Sequence, residues 1–389
     1  MKHKYLFIII PIIILMLGFI IYFVILDREA SELPIISNFF PETEKTQTEK
    51  SKTINGEENI ITSRDKKEED LLAISENPIS SFISDGQSVY YLDKLNGNLH
   101  KTDLNGENEE IISNTTILNV VDVYWGAPGK NAVLKFLDED EKPVFFSAEF
   151  NGSSTEGVFL PKNTLTAASA KNENKIAYLS DEKERGVLFV SDNTNKTIRQ
   201  LFSFPARDFR VNLKNDGKLF LLSAPSYLYQ GFLYALNIKT ANNFDKIASG
   251  MGLNIMTDED GKRGFVSISG NKQIENKIIL FKENKEYDLS LKSFPEKCVF
   301  SVLEKDVVYC AVPKIMPSAN YPDDWYSGEV SFNDDFYKID YIKGENKLLN
   351  KDGSSLFRFD AKNLILNGDE NYLFFINKND SRLWRIKKI

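Results

Sequence analysis

A turn-like cluster that recurs about every 44 residues is the feature that most constrains how this 389-residue chain can fold. Each cluster stands just before a short apolar run, as Asp85-Gly86 stands before VYYL. Counted at the second residue of each cluster, the steps are 43, 45, 43, 44, 44 and 66 residues. A fixed period of this length is typical of proteins built from repeated supersecondary units. The seven clusters end at Gly86, Gly129, Asn174, Gly217, Gly261, Lys305 and Asn371.

The residues of each repeat favour strands over helices. The apolar runs are rich in Val, Ile, Tyr, Phe and Leu, and the Asp, Asn and Gly of the clusters accept the positive φ of a tight hairpin. Four short strands per repeat of this length are typical of a propeller blade. We therefore predict an all-β, seven-bladed β-propeller over residues 71–389. The predicted blades start near residues 78, 118, 165, 207, 251, 297 and 356.

The last repeat has room for only three strands before Ile389. A closed ring needs a fourth strand there, because an unpaired strand edge would otherwise remain. Residues Leu71 to Ser75 precede the first blade and are placed to supply that strand. We expect the two ends of the repeat region to share one composite blade.

An apolar run of 22 residues, Tyr5 to Leu26, contains no charged side chain. As a helix it would be about 33 Å long, which matches the hydrocarbon core of a bilayer at roughly 30 Å. The alternative, a cleaved signal peptide, has a shorter apolar core and a small-residue cleavage site, and neither is present. Lys2 and Lys4 before the run indicate a cytoplasmic N-terminus at residues 1–4 and an extracytoplasmic remainder. We predict a single transmembrane helix over 5–26 and location in the cell membrane.

Between the predicted helix and the propeller, residues 27–70 are mostly Glu, Lys, Thr, Asn and Ser. Such a segment buries too little apolar surface to offset its ordering entropy, so we predict a flexible, disordered polar tether. Everything after the helix carries 46 basic and 56 acidic residues, a net charge of −10. An acidic chain without a basic stripe repels phosphate backbones, so nucleic acid is not an expected partner.

Several repeats resemble known bacterial propellers. FISDGQSVYYLD and NLKNDGKLFLL are similar to the Asp-Gly-Lys hairpin of TolB-like, WD-repeat-like blades. The segments KCVFSVLEKDVVYCAVP and YPDDWYSGEVSF resemble an uncharacterised family of membrane-anchored bacterial β-propellers. That resemblance implies an architecture and a location, and no activity.

The chain has two cysteines, Cys298 and Cys310, on either side of a short turn at Leu303 to Lys305. A hairpin centred on Glu304 places them opposite each other on adjacent antiparallel strands, where a disulfide is feasible. Two cysteines so placed in an exported domain favour one cross-strand disulfide. The alternative is a pair of unbonded thiols in the core.

The long last step of the repeat indicates an insertion at residues 313–335 of blade six. Long loops on a rigid scaffold often bind ligands, and Trp and Tyr are favoured anchors at interfaces. The alternative is a structural flap whose aromatic side chains cover the ring. The candidate binding residues are Tyr321, Asp323, Asp324, Trp325 and Tyr326.

Other chemistry has little support in the sequence. The histidines are His3 and His100, which excludes histidine-based triads, and His100 is expected on the face of a strand. The acidic clusters at 138–141 and 258–261 lack the spacing of a calcium loop, so we expect no metal and no cofactor. Glycosidases need only two carboxylates, which an acidic chain can supply without a visible motif.

The predicted function is that of a membrane-anchored scaffold that binds a protein or ligand of the cell envelope or cell wall. The alternative is a carbohydrate-active or cell-wall enzyme with carboxylates at the mouth of the propeller. An accessory role in a secretion or pilus system is a third possibility that the sequence does not separate from the first.

Overall fold

The computed structural model describes residues 70–240, 244–270, 273–349 and 357–387. The predicted transmembrane helix at 5–26 and nearly all of the tether predicted at 27–70 lie outside these residues. Within the described ranges, no helix is long and apolar enough to cross a membrane.

The described residues form 28 strands in seven four-stranded antiparallel sheets, the blades of a β-propeller. The first three blades are β2 Ile79–Ser84, β3 Ser88–Asp93, β4 Leu99–Asp103 and β5 Glu110–Ser113; β6 Val120–Trp125, β7 Asn131–Leu137, β8 Pro143–Asn151 and β9 Ser154–Phe159; and β10 Thr164–Ser169, β11 Ile176–Glu182, β12 Arg185–Ser191 and β13 Arg199–Phe204. The next three are β14 Phe209–Leu213, β15 Lys218–Ser223, β16 Gln230–Asn237 and β17 Asp245–Met251; β18 Asn254–Thr257, β19 Arg263–Ile268, β20 Glu275–Leu280 and β21 Lys285–Leu289; and β22 Cys298–Phe300, β23 Val307–Pro313, β24 Asp334–Asp340 and β25 Glu345–Leu348. Blade seven combines β26 Ala361–Leu366, β27 Tyr372–Asn377 and β28 Leu383–Lys387 with β1 Leu71–Ala73. The helical segments that lie wholly within the described ranges are α1, Asp323–Ser327, and two 3-10 turns, Asn215–Gly217 and Pro295–Lys297.

Blade seven closes the ring with strands from both ends of the repeat region. β1 pairs antiparallel with β28, with Leu71 opposite Ile386 and Ala73 opposite Trp384. The composite blade predicted from the sequence is therefore present. The ring closes because β1 covers the edge that β28 would otherwise expose.

The core lies between neighbouring blades. Between blades three and four, Leu179, Leu188, Leu219 and Leu221 are buried in one cluster. Side chains on both faces of a blade pack in this way, so all seven residues of β23 are buried. This is why the second strand of a repeat reads as a continuous apolar run instead of an alternating one.

The recurring clusters form a ring of turns on one face of the propeller, which we name the turn face. Each turn joins the first two strands of a blade, and several turns contact the turn of the next blade. The backbone N–H of Asp216 donates to Glu173 Oε1 at 2.8 Å, and the N–H of Gly368 donates to the carbonyl of Gly86 at 3.2 Å. Gly86 has a φ of +95°, and a Cβ there would lie 3.2 Å from the Cα of Gly368. One period of the sequence thus corresponds to one four-stranded blade.

Cys298 and Cys310 form a disulfide. They are directly paired across β22 and β23, with their Cα atoms 4.1 Å apart. This confirms the predicted cross-strand bond and excludes the alternative of two free thiols.

Candidate functional site

The insertion of blade six is the connection between β23 and β24, residues 314–333. It lies on the face opposite the turn face, where the inner strands begin, and we name this the insertion face. Within the insertion, α1 ends at Gly328, whose φ of +87° suits glycine, and whose N–H donates to the carbonyl of Trp325.

Aromatic side chains hold the insertion against the propeller. Tyr321, Trp325 and Phe332 of the insertion are buried in one cluster with Phe294, which precedes β22. The rings of Phe294 and Trp325 stack with centroids 4.9 Å apart. This is the contact pattern of a docked flap, since the largest aromatic side chains point inward.

A buried charge network lies beneath this cluster. Lys297 Nζ donates to Asp334 Oδ2 and to Asp360 Oδ1, each at 2.6 Å, and all three side chains are fully buried. Asp360 also accepts from the indole N–H of Trp325 and from the backbone N–H of Phe332. Burial raises the pKa of Asp334 to about 6, against the opposing effect of Lys297. The network joins blade six, blade seven and the insertion.

The two aspartates of α1 bind backbone groups. Asp323 Oδ2 accepts from the N–H of Tyr227 in blade four at 2.7 Å, and Asp324 Oδ2 accepts from the N–H of Asn320 at 2.7 Å. Asp323 therefore ties the insertion to the loop between β15 and β16. Asp324 orders the turn that leads into α1.

Tyr326 contacts two residues that line the central channel, Asn254 and Glu296. Its hydroxyl donates to Glu296 Oε1 at 2.5 Å and accepts from Asn254 Nδ2 at 2.8 Å. The guanidinium of Arg210 lies 5.3 Å from the centre of the Tyr326 ring and 3.7 Å from Glu296 Oε1. Burial acts to lower the pKa of Arg210, but Tyr326 and Glu296 outweigh it and the pKa is raised.

The channel beneath this group contains a cavity of about 630 Å³. Asp122, Arg210 and Glu296 line it together with residues of the inner strands of blades three to seven. With Lys135, which also lines it, two carboxylates, one guanidinium and one ammonium group share one space in the middle of the ring. Asp122 also bonds the hydroxyl of Tyr124, whose pKa is raised by burial and then by Asp122.

The structure therefore brings the five candidate residues together in three different settings. Tyr321 and Trp325 face inward, and Asp323 and Asp324 accept backbone hydrogen bonds. Tyr326 bonds Glu296 and Asn254, which line the channel. Their direct contact with a ligand stays a prediction.

The sequence indicates other residues of this region only weakly or not at all. Lys297, Asp334 and Asp360 are single charged residues that look like surface residues until the fold buries them. Exposed apolar side chains also lie on the insertion face, at Leu228 and Tyr229 in blade four and at Ile315 in the insertion. The unusual SAPSYLYQ connection of blade four could have indicated the first two.

The remaining sequence candidates have ordinary local roles. His100 Nδ1 lies 2.5 Å from Glu109 Oε1, and its ring stacks on Tyr91, so it packs on the face of its blade. Asp138 accepts from the backbone N–H of Lys142 and closes a turn. Nowhere in the described ranges do three His, Cys, Asp or Glu side chains group as metal ligands would.

The fold and its site define a seven-bladed β-propeller with one docked insertion. No protein-family model matches the chain, and no curated protein matches it. Among solved structures it is similar to an oligogalacturonate lyase in complex with manganese, with a TM-score of 0.57 and 10% identity over 82% of this chain and 90% of that one. It is also similar to YCF48 from Cyanidioschyzon merolae, with a TM-score of 0.53 and 12% identity over 82% and 99% of the two chains.

TolB from Acinetobacter baumannii is a further neighbour, with a TM-score of 0.44 and 13% identity over 79% of this chain and 78% of that one. At such identities the comparisons show the fold alone.

Proposed function

We propose that the chain is a binding module of the cell envelope. The apolar run at 5–26 holds it in the membrane with the N-terminus in the cytoplasm, and the propeller lies outside. There it binds an envelope protein or a cell-wall ligand through the insertion face.

The observation that carries this proposal is the docked insertion with exposed apolar side chains around it. Leu228, Tyr229 and Ile315 are 56%, 69% and 79% exposed on the insertion face. The aromatic side chains Tyr321 and Trp325 of the insertion, in contrast, are buried. The bond from the N–H of Tyr227 to Asp323 fixes the loop that presents the first two. A surface ordered before binding loses little conformational entropy on association, and tyrosine is a favoured interface anchor.

The test compares two faces of the same propeller. In the variant L228S/Y229S/I315S we expect loss of the partners that copurify with the full chain from crosslinked membranes. The matched control is V302S/L303S, which removes two equally exposed apolar side chains from the turn face. Equal recovery of the same partners by all three proteins would refute binding through the insertion face.

The membrane topology is tested by thiol labelling. The chain has two cysteines and both are in the disulfide, so an introduced cysteine is the single free thiol. We expect a membrane-impermeant maleimide to label Glu139→Cys in intact spheroplasts and Lys2→Cys only after lysis. The reverse pattern would exclude the proposed orientation.

A carbohydrate-active enzyme is the alternative, favoured by the shared cavity of Asp122 and Glu296. Paired carboxylates in one cleft are what glycoside hydrolysis requires. Against it, Asn254 and Tyr326 bind the carboxylate of Glu296, which gives that side chain a structural role. The enzyme would be favoured if the wild type released reducing ends from cell-wall polysaccharide and if D122N and E296Q each abolished that release.

A further inference from the structure

The channel cavity contains charged groups of both signs that are not tightly paired with one another. Its volume of about 630 Å³ is in the usual range for a small-molecule site. The charged residues that line it are Asp122, Lys135, Arg210 and Glu296. Arg210 lies 3.7 Å from Glu296, which is too far for a hydrogen bond. Within the described ranges, no ion pair involves Asp122 or Lys135.

Arg210 is open to a ligand from the channel. Its side chain is 49% exposed, and its guanidinium lies over the ring of Tyr326, 5.3 Å from the ring centre. Asn212 lies two residues further along the same inner strand, β14, so its side chain points to the same side. Asn212 is exposed, lines the cavity and makes no side-chain hydrogen bond with the residues that the structure describes. The planar fork of a guanidinium, next to a free amide, suits a carboxylate.

Asp122 supplies the opposite charge in the same space. The inner strand β6 bulges between Val120 and Asp122, and a bulge changes the direction of the side chains beside it. The side chain of Asp122 is exposed and lines the cavity. Burial acts to lower the pKa of Arg210, and Tyr326 and Glu296 act to raise it. Asp122 raises it as well, so the two charges act on each other across the channel.

Asp122 is also the carboxylate of the cavity that has acceptor sites to spare. Glu296 accepts from Asn254 Nδ2 at both of its oxygens and from the hydroxyl of Tyr326. Asp122 accepts from the neighbouring N–H of Val123 and bonds the hydroxyl of Tyr124. A carboxylate has about four acceptor sites, so an exposed one with two such partners can accept from a ligand.

We propose that the channel binds a small zwitterion, an amino acid or a dipeptide, whose carboxylate binds Arg210 and whose ammonium group binds Asp122. A ligand with both charges compensates both side chains for the water that they lose. A simple anion would be repelled by Asp122, and a simple cation would be repelled by Arg210. The site lies in the channel and uses none of the exposed apolar side chains of the insertion face, so it is independent of the function proposed above.

The test is calorimetric titration of the full chain in detergent at pH 7 and constant ionic strength. The probes are L-alanine and L-alanyl-L-alanine, with propionate and ethylamine as analogues of alanine that lack one charge each. We expect saturable binding of a zwitterion, and binding of each analogue that is weaker by about tenfold or more, as loss of one charged hydrogen bond implies. The tighter of the two zwitterions distinguishes an amino acid from a dipeptide.

Two variants assign the two charges. Asp122→Asn should weaken alanine binding by about tenfold or more and abolish the preference for alanine over propionate. Arg210→Gln should abolish the preference for alanine over ethylamine. A merely structural role of either side chain would weaken all probes alike and leave these preferences unchanged. The matched control Glu139→Gln removes an exposed carboxylate of blade two outside the cavity and should bind as the wild type does.

The variant L228S/Y229S/I315S should also bind the zwitterion as the wild type does, so failure of this site and failure of binding through the insertion face are seen separately. Absence of saturable binding of both zwitterions to the wild type would overturn the proposal. Equal affinity for alanine and propionate would overturn it too, as would wild-type affinity in a folded Arg210→Gln protein.

Discussion

The indole N–H of Trp325 donates to both carboxylate oxygens of Asp360, at 3.0 and 3.1 Å. Trp325 belongs to the insertion of blade six, and Asp360 stands just before the inner strand of blade seven. Because Asp360 also binds Lys297, this contact fastens the insertion to the charged network beneath it. The insertion is thereby part of the ring's structure as well as of its surface.

Trp325→Ala should lower the free energy of unfolding by about 3–5 kcal/mol, since it removes a buried aromatic side chain and one donor to Asp360. Trp325→Phe keeps the stacking on Phe294 and should lose only about 1–3 kcal/mol. Chemical denaturation of the two variants measures both values. A Trp325→Ala protein as stable as the wild type would contradict the structural role of this side chain.

Stability should depend on pH through Asp334. Its pKa is raised from 3.8 to about 6, so the folded state binds the proton more tightly than the unfolded state does. The stability contributed by protonated Asp334 is fully present below about pH 4 and is lost as pH rises through about 6, by up to about 3 kcal/mol. The free energy of unfolding, measured between pH 4 and 7, should fall less steeply with rising pH in Asp334→Asn than in the wild type. Parallel curves for the two proteins would contradict this assignment.

Reduction of the disulfide between Cys298 and Cys310 should destabilise the propeller by about 3 kcal/mol, because the bond closes a short loop in the unfolded chain. The double variant C298A/C310A should lose a similar amount and become insensitive to reductant. Thiol titration of unfolded, non-reduced protein should find no free thiol. Two titratable thiols would exclude the bond.

Deletion of residues 70–76 should unfold the whole propeller cooperatively, because it removes β1 and exposes the edge of β28. Its matched control is deletion of residues 43–69, which leaves β1 in place and should leave the melting temperature unchanged. Thermal unfolding followed by circular dichroism makes the comparison. A wild-type melting temperature after loss of 70–76 would show that the ring closes without this strand.

The sequence alone determined the repeat architecture. Asp-Gly turns at a fixed spacing dictate local hairpins, and apolar runs dictate strands buried on both faces, so the blades and their closure by Leu71 to Ala73 follow from local chemistry. The pairing of Cys298 with Cys310 was also predictable, because both lie in one hairpin.

Only the tertiary structure decided which polar residues meet. Lys297, Asp334 and Asp360 come from three separate segments, and Asp122 and Arg210 share one cavity only because the inner strands of blades two and four both line the channel. Such contacts depend on how blades pack around the channel, and no local pattern encodes that geometry. For the same reason the sequence could place an insertion in blade six but could not show that Tyr321 and Trp325 face inward while Leu228 and Tyr229 face solvent.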